Sequence, residues 1–450
     1  MRATYPDKAF YKSLVLLAVP MILQNLISFA VGFADNLMVS SLGDSAVSGV
    51  YLANQMQTLL RLFSGGIEGA IAILAAQYWG KGDRKSIRLL LSIGLHFALL
   101  FTLALTLCAF LFPEPILSVF TADSEVIREG AKYLRIVCFS YAFFCSTQVM
   151  IAAMRSLEST AIGMTVSLIS LAANIVLNNI LIFGRLGFPV LGIRGAALAT
   201  LISRMLETLV ISIYVFRADR KLRFRPRDLF LTDRTLKRDL MRCGIPVTVH
   251  RMVWSVNVMA ASAMLGRFPA HVVTAVSVAD SLYSMMVIAL FALASAVGII
   301  TGKMVGAGKT EVVRLYTRPL QRIFLLISIL TAVLGLVLRR PFVSLYRGIT
   351  PEAASTALQF TAIISVTAAG SCYHSLGFDG LISAGGDVRF ILRVDLIFVF
   401  LIILPSAVLA MLLNAPAWVV FTLLKWDQVL KCFVSDWKIR KSDWLYNLTR

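Results

Sequence analysis

Long apolar stretches recur along the whole chain, and short polar segments separate them. Each stretch has about 18 residues or more with little charge, enough to cross a bilayer as an α-helix. Gly and Pro lie inside many of the stretches, which membrane helices tolerate better than soluble helices do. The pattern predicts an all-α polytopic membrane protein. We place about twelve transmembrane helices at residues 13–39, 49–77, 89–111, 131–153, 161–183, 194–216, 244–265, 274–301, 322–338, 356–378, 391–412 and 414–434.

A short motif occurs twice, about 226 positions apart. One copy runs from Gln77 to Asp83 and the other from Lys303 to Lys309; in both, a Gly-x-Gly turn separates an apolar stretch from a basic segment. Asn54 and Asp280 are related by the same offset. Two similar halves in the same order are typical of secondary transporters, with the substrate site between the halves. We predict two pseudo-symmetric six-helix bundles, with an N-terminal lobe at 1–216, a basic cytoplasmic linker at 217–243, a C-terminal lobe at 244–434 and a cytoplasmic tail at 435–450.

The formal net charge is +19, and the basic residues concentrate in alternate polar segments, most strongly between Arg217 and Arg242. This distribution follows the positive-inside rule and predicts a multi-pass protein of the plasma (inner) membrane with both termini in the cytoplasm. Arg339, Arg340 and Arg347 fall on the opposite side without reversing the pattern. Basic and aromatic residues are not interleaved, so we expect no nucleic-acid partner. The expected partners are a small-molecule substrate and the lipid bilayer, and we expect a monomer.

Ionisable groups inside apolar stretches are costly unless they are paired or hydrated. Asp35 lies deep in the first stretch, where a carboxylate would suit a carrier of H⁺ or Na⁺; the alternative is a structural hydrogen bond that caps a broken helix. Asn174 and Asn178 are four residues apart and share one helix face, and Thr200 lies in the next stretch. With Asp35, their oxygens could form a Na⁺ site. By themselves, two such Asn residues more often form interhelical hydrogen bonds.

Several other polar, aromatic and methionine side chains are weaker candidates for a substrate cavity. Arg204 with Glu207 is interpreted as a structural ion pair, and Asp395 with Arg393 as a structural or gating pair. The sequence contains no nucleophile–base arrangement, P-loop or metal cluster, so we expect no enzyme and no cofactor beyond a coupling ion, H⁺ or Na⁺. The weak cavity candidates are Glu68, Asp280, Tyr283, Trp254, Met259 and Asp379.

Several segments together resemble the multidrug and toxic compound extrusion (MATE) family, which belongs to the MOP flippase superfamily. The first-helix motif is similar to residues 34–43 (ADNLMVSSLG), and the end of the second helix is similar to residues 77–83 (QYWGKGD). Residues 174–184 (NIVLNNILIFG), followed by residues 192–200 (GIRGAALAT), are the most specific stretch, and residues 385–387 (GGD) resemble the turn after helix ten.

The resemblance implies antiport of amphipathic, often cationic organic compounds such as drugs against H⁺ or Na⁺, by alternating access. In one branch of the family the ion site falls on Asp35, Asn174, Asn178 and Thr200. The chain departs from that branch at Asn178, where the branch has an Asp. It also lacks the carboxylates that another branch uses in helices seven and ten, since Trp254 and Cys372 lie near those positions.

Three other functions remain open at this point. A flippase for a lipid-linked head group, from the same superfamily, predicts a cavity lined by several Arg side chains. A non-transporting relative would bind ligand without flux. A membrane-embedded enzyme would need clustered His, Asp and Glu residues at the membrane surface, and the sequence shows no such cluster.

Overall fold

The computed structural model describes residues 8–346, 348–441 and 443–449, which form a chain of long helices. Arg2, at the basic start of the chain, and Arg347, in the charge pattern, lie outside the described residues. The α-helices are α1 (Lys8–Ser40), α2 (Asp44–Lys81), α3 (Arg84–Leu111), α4 (Pro113–Ser118), α5 (Ser124–Val137), α6 (Ser140–Ser156), α7 (Ala161–Phe183), α8 (Ile193–Ile213), α9 (Arg234–Leu265), α10 (Ala270–Gly306), α11 (Thr310–Ser344), α12 (Pro351–Ser375), α13 (Val388–Ile397), α14 (Leu404–Leu412), α15 (Ala417–Lys425) and α16 (Asp427–Lys441).

Short segments of other helical geometry continue or connect these helices. Segments with π geometry often mark functional positions in longer helices. In this chain they follow α8, α12 and α13, at Tyr214–Ala218, Leu376–Ile382 and Phe398–Ile403, and 3₁₀ turns lie at Arg185–Gly187 and Pro226–Phe230.

The repeated Gly-x-Gly motif ends one long helix and starts the next in both halves. Gly82 has a φ of +83°, a left-handed conformation that Gly adopts without steric cost, and it ends α2. Gly308, at φ +73°, follows α10 in the same way. The Asp83 carboxylate then caps α3 by accepting a hydrogen bond of 3.0 Å from the Ser86 amide. The turn predicted from the two copies is therefore present in both.

The described helices agree with the prediction of about twelve transmembrane helices. Nine of them are long and apolar enough to cross a membrane, and the bent pair of α5 and α6 makes a tenth candidate. The other two predicted spans coincide with α9, whose middle carries His250 and Arg251, and with α15 and α16, which are separated at Trp426. α9 begins at Arg234, inside the segment that we interpreted as the linker.

The chain divides into two compact units. One runs from Val19 to Thr248, and the other comprises the described residues up to Ala18 together with those from Val249 onward. In the first unit, α2 packs against α3, α5 and α6, while α7 packs against α8. α2 and α5 meet at Gly49 and Gly130, where an added Cβ on Gly49 would lie 2.6 Å from the Gly130 nitrogen. Such close approach at small residues is typical of membrane helices.

In the second unit, α12 lies at the centre and packs against α10, α11 and α16. The segment after α16 folds back onto the turn before α13. The Tyr446 amide donates a hydrogen bond of 2.6 Å to the Gly385 carbonyl, and Gly386 and Leu445 form an isolated antiparallel bridge. Trp444 is buried beside Gly385. The segment that we predicted as a cytoplasmic tail therefore packs against the fold through these contacts.

Candidate functional site

The first unit brings Asp35 of α1 together with two side chains of α7. Asn178 Nδ2 donates a hydrogen bond of 2.6 Å to Asp35 Oδ1 and approaches Asn174 Oδ1 at 3.2 Å. The two Asn residues are four apart on one helix face, which explains why both reach the same point. Both are buried. The Asp35 carboxylate thus has polar partners. Such partners are expected, because an unpartnered carboxylate inside a membrane helix is energetically costly.

The predicted site residues carry oxygen atoms of the kind that suits a small cation. Asn178 Oδ1 is buried and has no hydrogen-bond partner among the described residues. The Thr200 hydroxyl, on α8, donates a hydrogen bond of 3.0 Å to the Ala196 carbonyl. Its oxygen also interacts with Tyr133. The lone pairs of this oxygen can accept a hydrogen bond from Tyr133 or bind a cation. A carboxylate, two amide oxygens and a hydroxyl form a donor set that suits a hard cation such as Na⁺. Among the described residues, no group of three His, Cys, Asp or Glu side chains could hold a metal ion.

A buried ion pair lies next to the Asp35 group. Arg204 Nη1 is 2.8 Å from Glu207 Oε2, and the guanidinium stacks 5.0 Å from the centre of the Phe144 ring. This confirms the predicted pairing of Arg204 with Glu207. Arg204 also acts electrostatically on Asp35. Asp35 is therefore influenced by the positive charge of Arg204, and Arg204 is itself paired with the Glu207 carboxylate.

The weaker cavity candidates have different surroundings. Glu68 accepts a hydrogen bond from Ser64 in the first unit. In the second unit, Asp280 pairs with Lys425 Nζ at 2.9 Å, and the same ammonium lies 5.7 Å from the centre of the Tyr283 ring. Asp280 and Tyr283 thus share one partner.

Trp254 and Met259, both on α9, are exposed, with 56% and 72% of their surface accessible. Asp379 is also exposed, on the segment after α12, and interacts electrostatically with His374. Asp379 lies in Leu376–Ile382, a segment of π geometry, in which the backbone hydrogen bonds join residues five apart.

A buried ionic network in the second unit was missed by the sequence analysis. Lys431 of α16 lies 2.8 Å from Asp395 Oδ1 and 2.9 Å from Asp427 Oδ2. The other oxygen of Asp395 contacts His250 Nδ1 on α9. The predicted pair of Asp395 with Arg393 was therefore wrong, because the helices packed around Asp395 supply different partners. Asp427 and Lys431, four apart in the last apolar stretch, were the signal that could have indicated the network.

The same network extends from α16 to α12 and α10 through neutral groups. Gln428 donates to Asp427 at 2.8 Å, and its own oxygen lies 2.8 Å from His374 Nε2 and accepts from Ser371 at 2.9 Å. Tyr283 is 3.0 Å from the Ser371 hydroxyl. Two buried atoms of the network, His374 Nδ1 and Asp427 Oδ1, have no hydrogen-bond partner among the described residues.

The family model MatE matches residues 20–180 and 246–419 of the chain. The chain belongs to the MatE family. This confirms the resemblance inferred from the motifs, and MatE membership with the apolar helices makes the chain an integral membrane protein of a transporter family.

Relatives of this MatE chain align over different lengths. NorM of Thermotoga maritima is 24% identical over 67% of this chain, and the match spans 64% of NorM, less than two thirds of its length. The multidrug resistance protein MdtK of Edwardsiella ictaluri is 27% identical over 90% of this chain and 88% of its own. A crystal structure of a mutant of the Vibrio cholerae MATE transporter VcmN has a TM-score of 0.87, with 18% identity over 96% of each chain. That likeness shows that the two chains share a fold.

Proposed function

We propose that the chain exports amphipathic, cationic organic compounds such as drugs across the plasma (inner) membrane by alternating access, in exchange for H⁺ or Na⁺. Asp35 is the coupling group, and Asn174, Asn178 and Thr200 complete its site. The hydrogen bond of 2.6 Å between Asn178 and Asp35 is the observation that carries the proposal. The full-length similarity to MdtK, which is named as a multidrug resistance protein, supports the substrate class.

The chemistry of the donor set supports either coupling ion. Na⁺ would be held by the Asp35 carboxylate, the free Asn178 Oδ1 and the oxygens of Asn174 and Thr200. A proton would bind the Asp35 carboxylate itself and remove its charge. In both cases the ion changes the charge at one point inside the membrane helices. An imposed ion gradient then supplies the energy, about 2.3 kcal/mol per unit charge at 100 mV.

The charge distribution supports an orientation with both termini in the cytoplasm. The basic segments after the second, sixth and eighth predicted spans would lie on that side. The segment 217–233, which precedes α9, would then be a cytoplasmic connection in contact with anionic lipid head groups.

Dye efflux from proteoliposomes tests the proposal. Proteoliposomes that contain the wild-type protein are loaded with a cationic dye. A proton gradient and a sodium gradient are then imposed in separate experiments. Efflux should respond to one gradient, and Asp35→Asn should abolish that response while the protein stays folded. Efflux that is equally gradient-driven in Asp35→Asn would overturn the assignment of the coupling group.

A matched control separates the ion site from the fold. Asn179 lies beside Asn178 on α7 but forms no hydrogen bond with any described side chain. Asn179→Leu should keep gradient-driven efflux, whereas Asn178→Leu should lose most of it. Equal losses in the two variants would indicate a structural effect on α7.

A further inference from the structure

α2 carries a stripe of polar side chains through its apolar sequence. Asn54, Gln57, Arg61, Ser64 and Glu68 follow each other at intervals of three or four residues, so they share one face. In a membrane helix, charged residues on such a face point to protein or to a water-filled space, because contact with lipid is costly.

Arg61 lies near the middle of α2, and its side chain is exposed. It forms no hydrogen bond and no ion pair with any described residue. The other two inner arginines of the same unit have partners. Arg155 donates to Gln24 at 2.7 Å, and Arg204 pairs with Glu207. Arg61 is thus a cation inside the membrane helices for which the described residues supply no counter-charge.

The electrostatic neighbour of Arg61 is another cation. Arg204, on α8, acts on Arg61 through the repulsion between like charges. The side-chain amides of Asn54 and Gln57, on the same stripe, likewise form no hydrogen bond with described residues. The stripe therefore offers several free N–H donors next to the unpaired charge of Arg61, whereas the charge of Arg204 is balanced by Glu207.

The fold does not require an arginine at this position. The offset of 226 that relates the two halves places Val287, on α10, at the position that corresponds to Arg61. α2 and α10 begin at Asp44 and Ala270, with the same offset. The corresponding helix has Val at this position, so the repeated architecture itself does not depend on a charge there.

We propose that Arg61 binds an anionic group of the transported compound: a carboxylate, a sulfonate or a phosphate. A guanidinium forms charge-assisted, often bidentate hydrogen bonds with such groups. The compound then carries an anionic group on its amphipathic body in addition to any cationic one. The transport role rests on the proposed function, but the binding itself does not.

Equilibrium binding to the purified full chain in detergent tests the site without a need for transport. The probes are a rhodamine with a free carboxylate and the methyl ester of the same rhodamine, which lacks the negative charge and carries one additional methyl group. Binding is followed by fluorescence anisotropy for wild type, Arg61→Gln, Arg61→Val and Arg61→Lys. Arg318→Gln, which removes an exposed arginine of the basic segment in α11, is the charge-matched control.

Wild type should bind the carboxylate probe more tightly than the ester. Arg61→Gln and Arg61→Val should weaken binding of the carboxylate probe about tenfold to a hundredfold, the range expected for a lost charge-assisted hydrogen bond, and leave the ester unchanged. Arg61→Lys should retain most of the preference, and Arg318→Gln all of it. Equal affinities for the two probes in wild type, including no binding of either, would overturn the inference, as would equal losses for both probes in Arg61→Gln.

The anionic group can belong to a soluble compound or to a lipid head group. Titration of phosphatidylglycerol, with phosphatidylcholine as the neutral control, distinguishes these sources. Displacement of the carboxylate probe by phosphatidylglycerol alone, and only when Arg61 is present, would assign the site to a lipid phosphate. No displacement would assign it to soluble compounds. If selective binding is seen without gradient-driven efflux, the proposed function fails and the anion site stands.

Discussion

Asn178 Nδ2 on α7 donates a hydrogen bond of 2.6 Å to Asp35 Oδ1 on α1, two residues that are 143 positions apart in the chain. The bond gives the carboxylate a partner that carries no charge. In the proposed function, Asp35 therefore gains or loses a positive ion without breaking a direct ion pair. An ion-coupled carrier needs such a group, because a permanent counter-charge would compete with the ion.

Replacing Asn178 should affect both stability and function. Asn178→Leu removes one of the two amide partners of the Asp35 carboxylate, and the other is Asn174; the loss should cost about 1–3 kcal/mol in the free energy of unfolding. Thermal unfolding in detergent measures this loss. Asn179→Leu should unfold close to the wild-type temperature, and an equally large decrease in that variant would contradict the assigned role of Asn178.

Lys431 should be a major determinant of stability in the second unit. Its side chain is 8% exposed and lies between Asp395 and Asp427. Lys431→Met leaves two buried carboxylates without that counter-charge, and the loss of one partner from such a network costs about 3–5 kcal/mol. Lys425→Met breaks the more exposed pair with Asp280 and should cost less. Similar losses of thermal stability in the two variants would show that the network is not a special contributor.

The acid sensitivity of the α2–α3 turn should depend on Asp83. Burial opposes the ionised form of Asp83, but hydrogen bonds from the Ser86 hydroxyl and amide and the charge of Lys81 hold its pKa below the ordinary value of 3.8. The capping energy is therefore fully present above that value and is lost as the pH falls through the lower, folded-state pKa.

The substitution Asp83→Ala makes this dependence measurable. It should cost about 1 kcal/mol at neutral pH, as expected for a lost helix cap, and the difference from wild type should shrink in acid. The unfolding temperature is measured against pH for both proteins. Glu311→Ala, in an exposed pair, is the control and should change little. A difference that persists unchanged in strong acid would refute the cap.

The C-terminal segment should stabilise the second unit. Trp444 is 1% exposed, and its indole nitrogen donates to the Ile439 carbonyl at 3.2 Å. Trp444→Ala removes a large buried side chain and should cost about 3–5 kcal/mol. Trp437→Ala, at a half-exposed position on α16, is the matched control. If the two variants unfold at the same temperature, the segment does not contribute through Trp444.

The positions of the helices and the importance of Asp35 were predictable, because the membrane restricts which residue types a spanning segment can contain. The apolar lengths indicated the helices, and the cost of a charge in lipid singled out Asp35. The pairing of Asp395 was not predictable, because its partner His250 is 145 positions away and a contact of that range depends on how several helices pack. The helical start of α9 was missed because its basic residues mask any apolar period. Trp444 packs against Gly385, where the absence of a side chain leaves room for the indole ring. The pattern of apolar and polar residues does not indicate such a contact.

The central claim is that Asp35 couples ion movement to substrate movement. The most direct measurement imposes a gradient of a cationic dye across proteoliposomes and records ion flow with a trapped pH-sensitive or sodium-sensitive indicator. We expect the dye gradient to drive one ion in the opposite direction through wild type, and we expect Asp35→Asn to move no ion. Ion flow of equal size in Asp35→Asn, or dye movement through wild type without any ion flow, would contradict it.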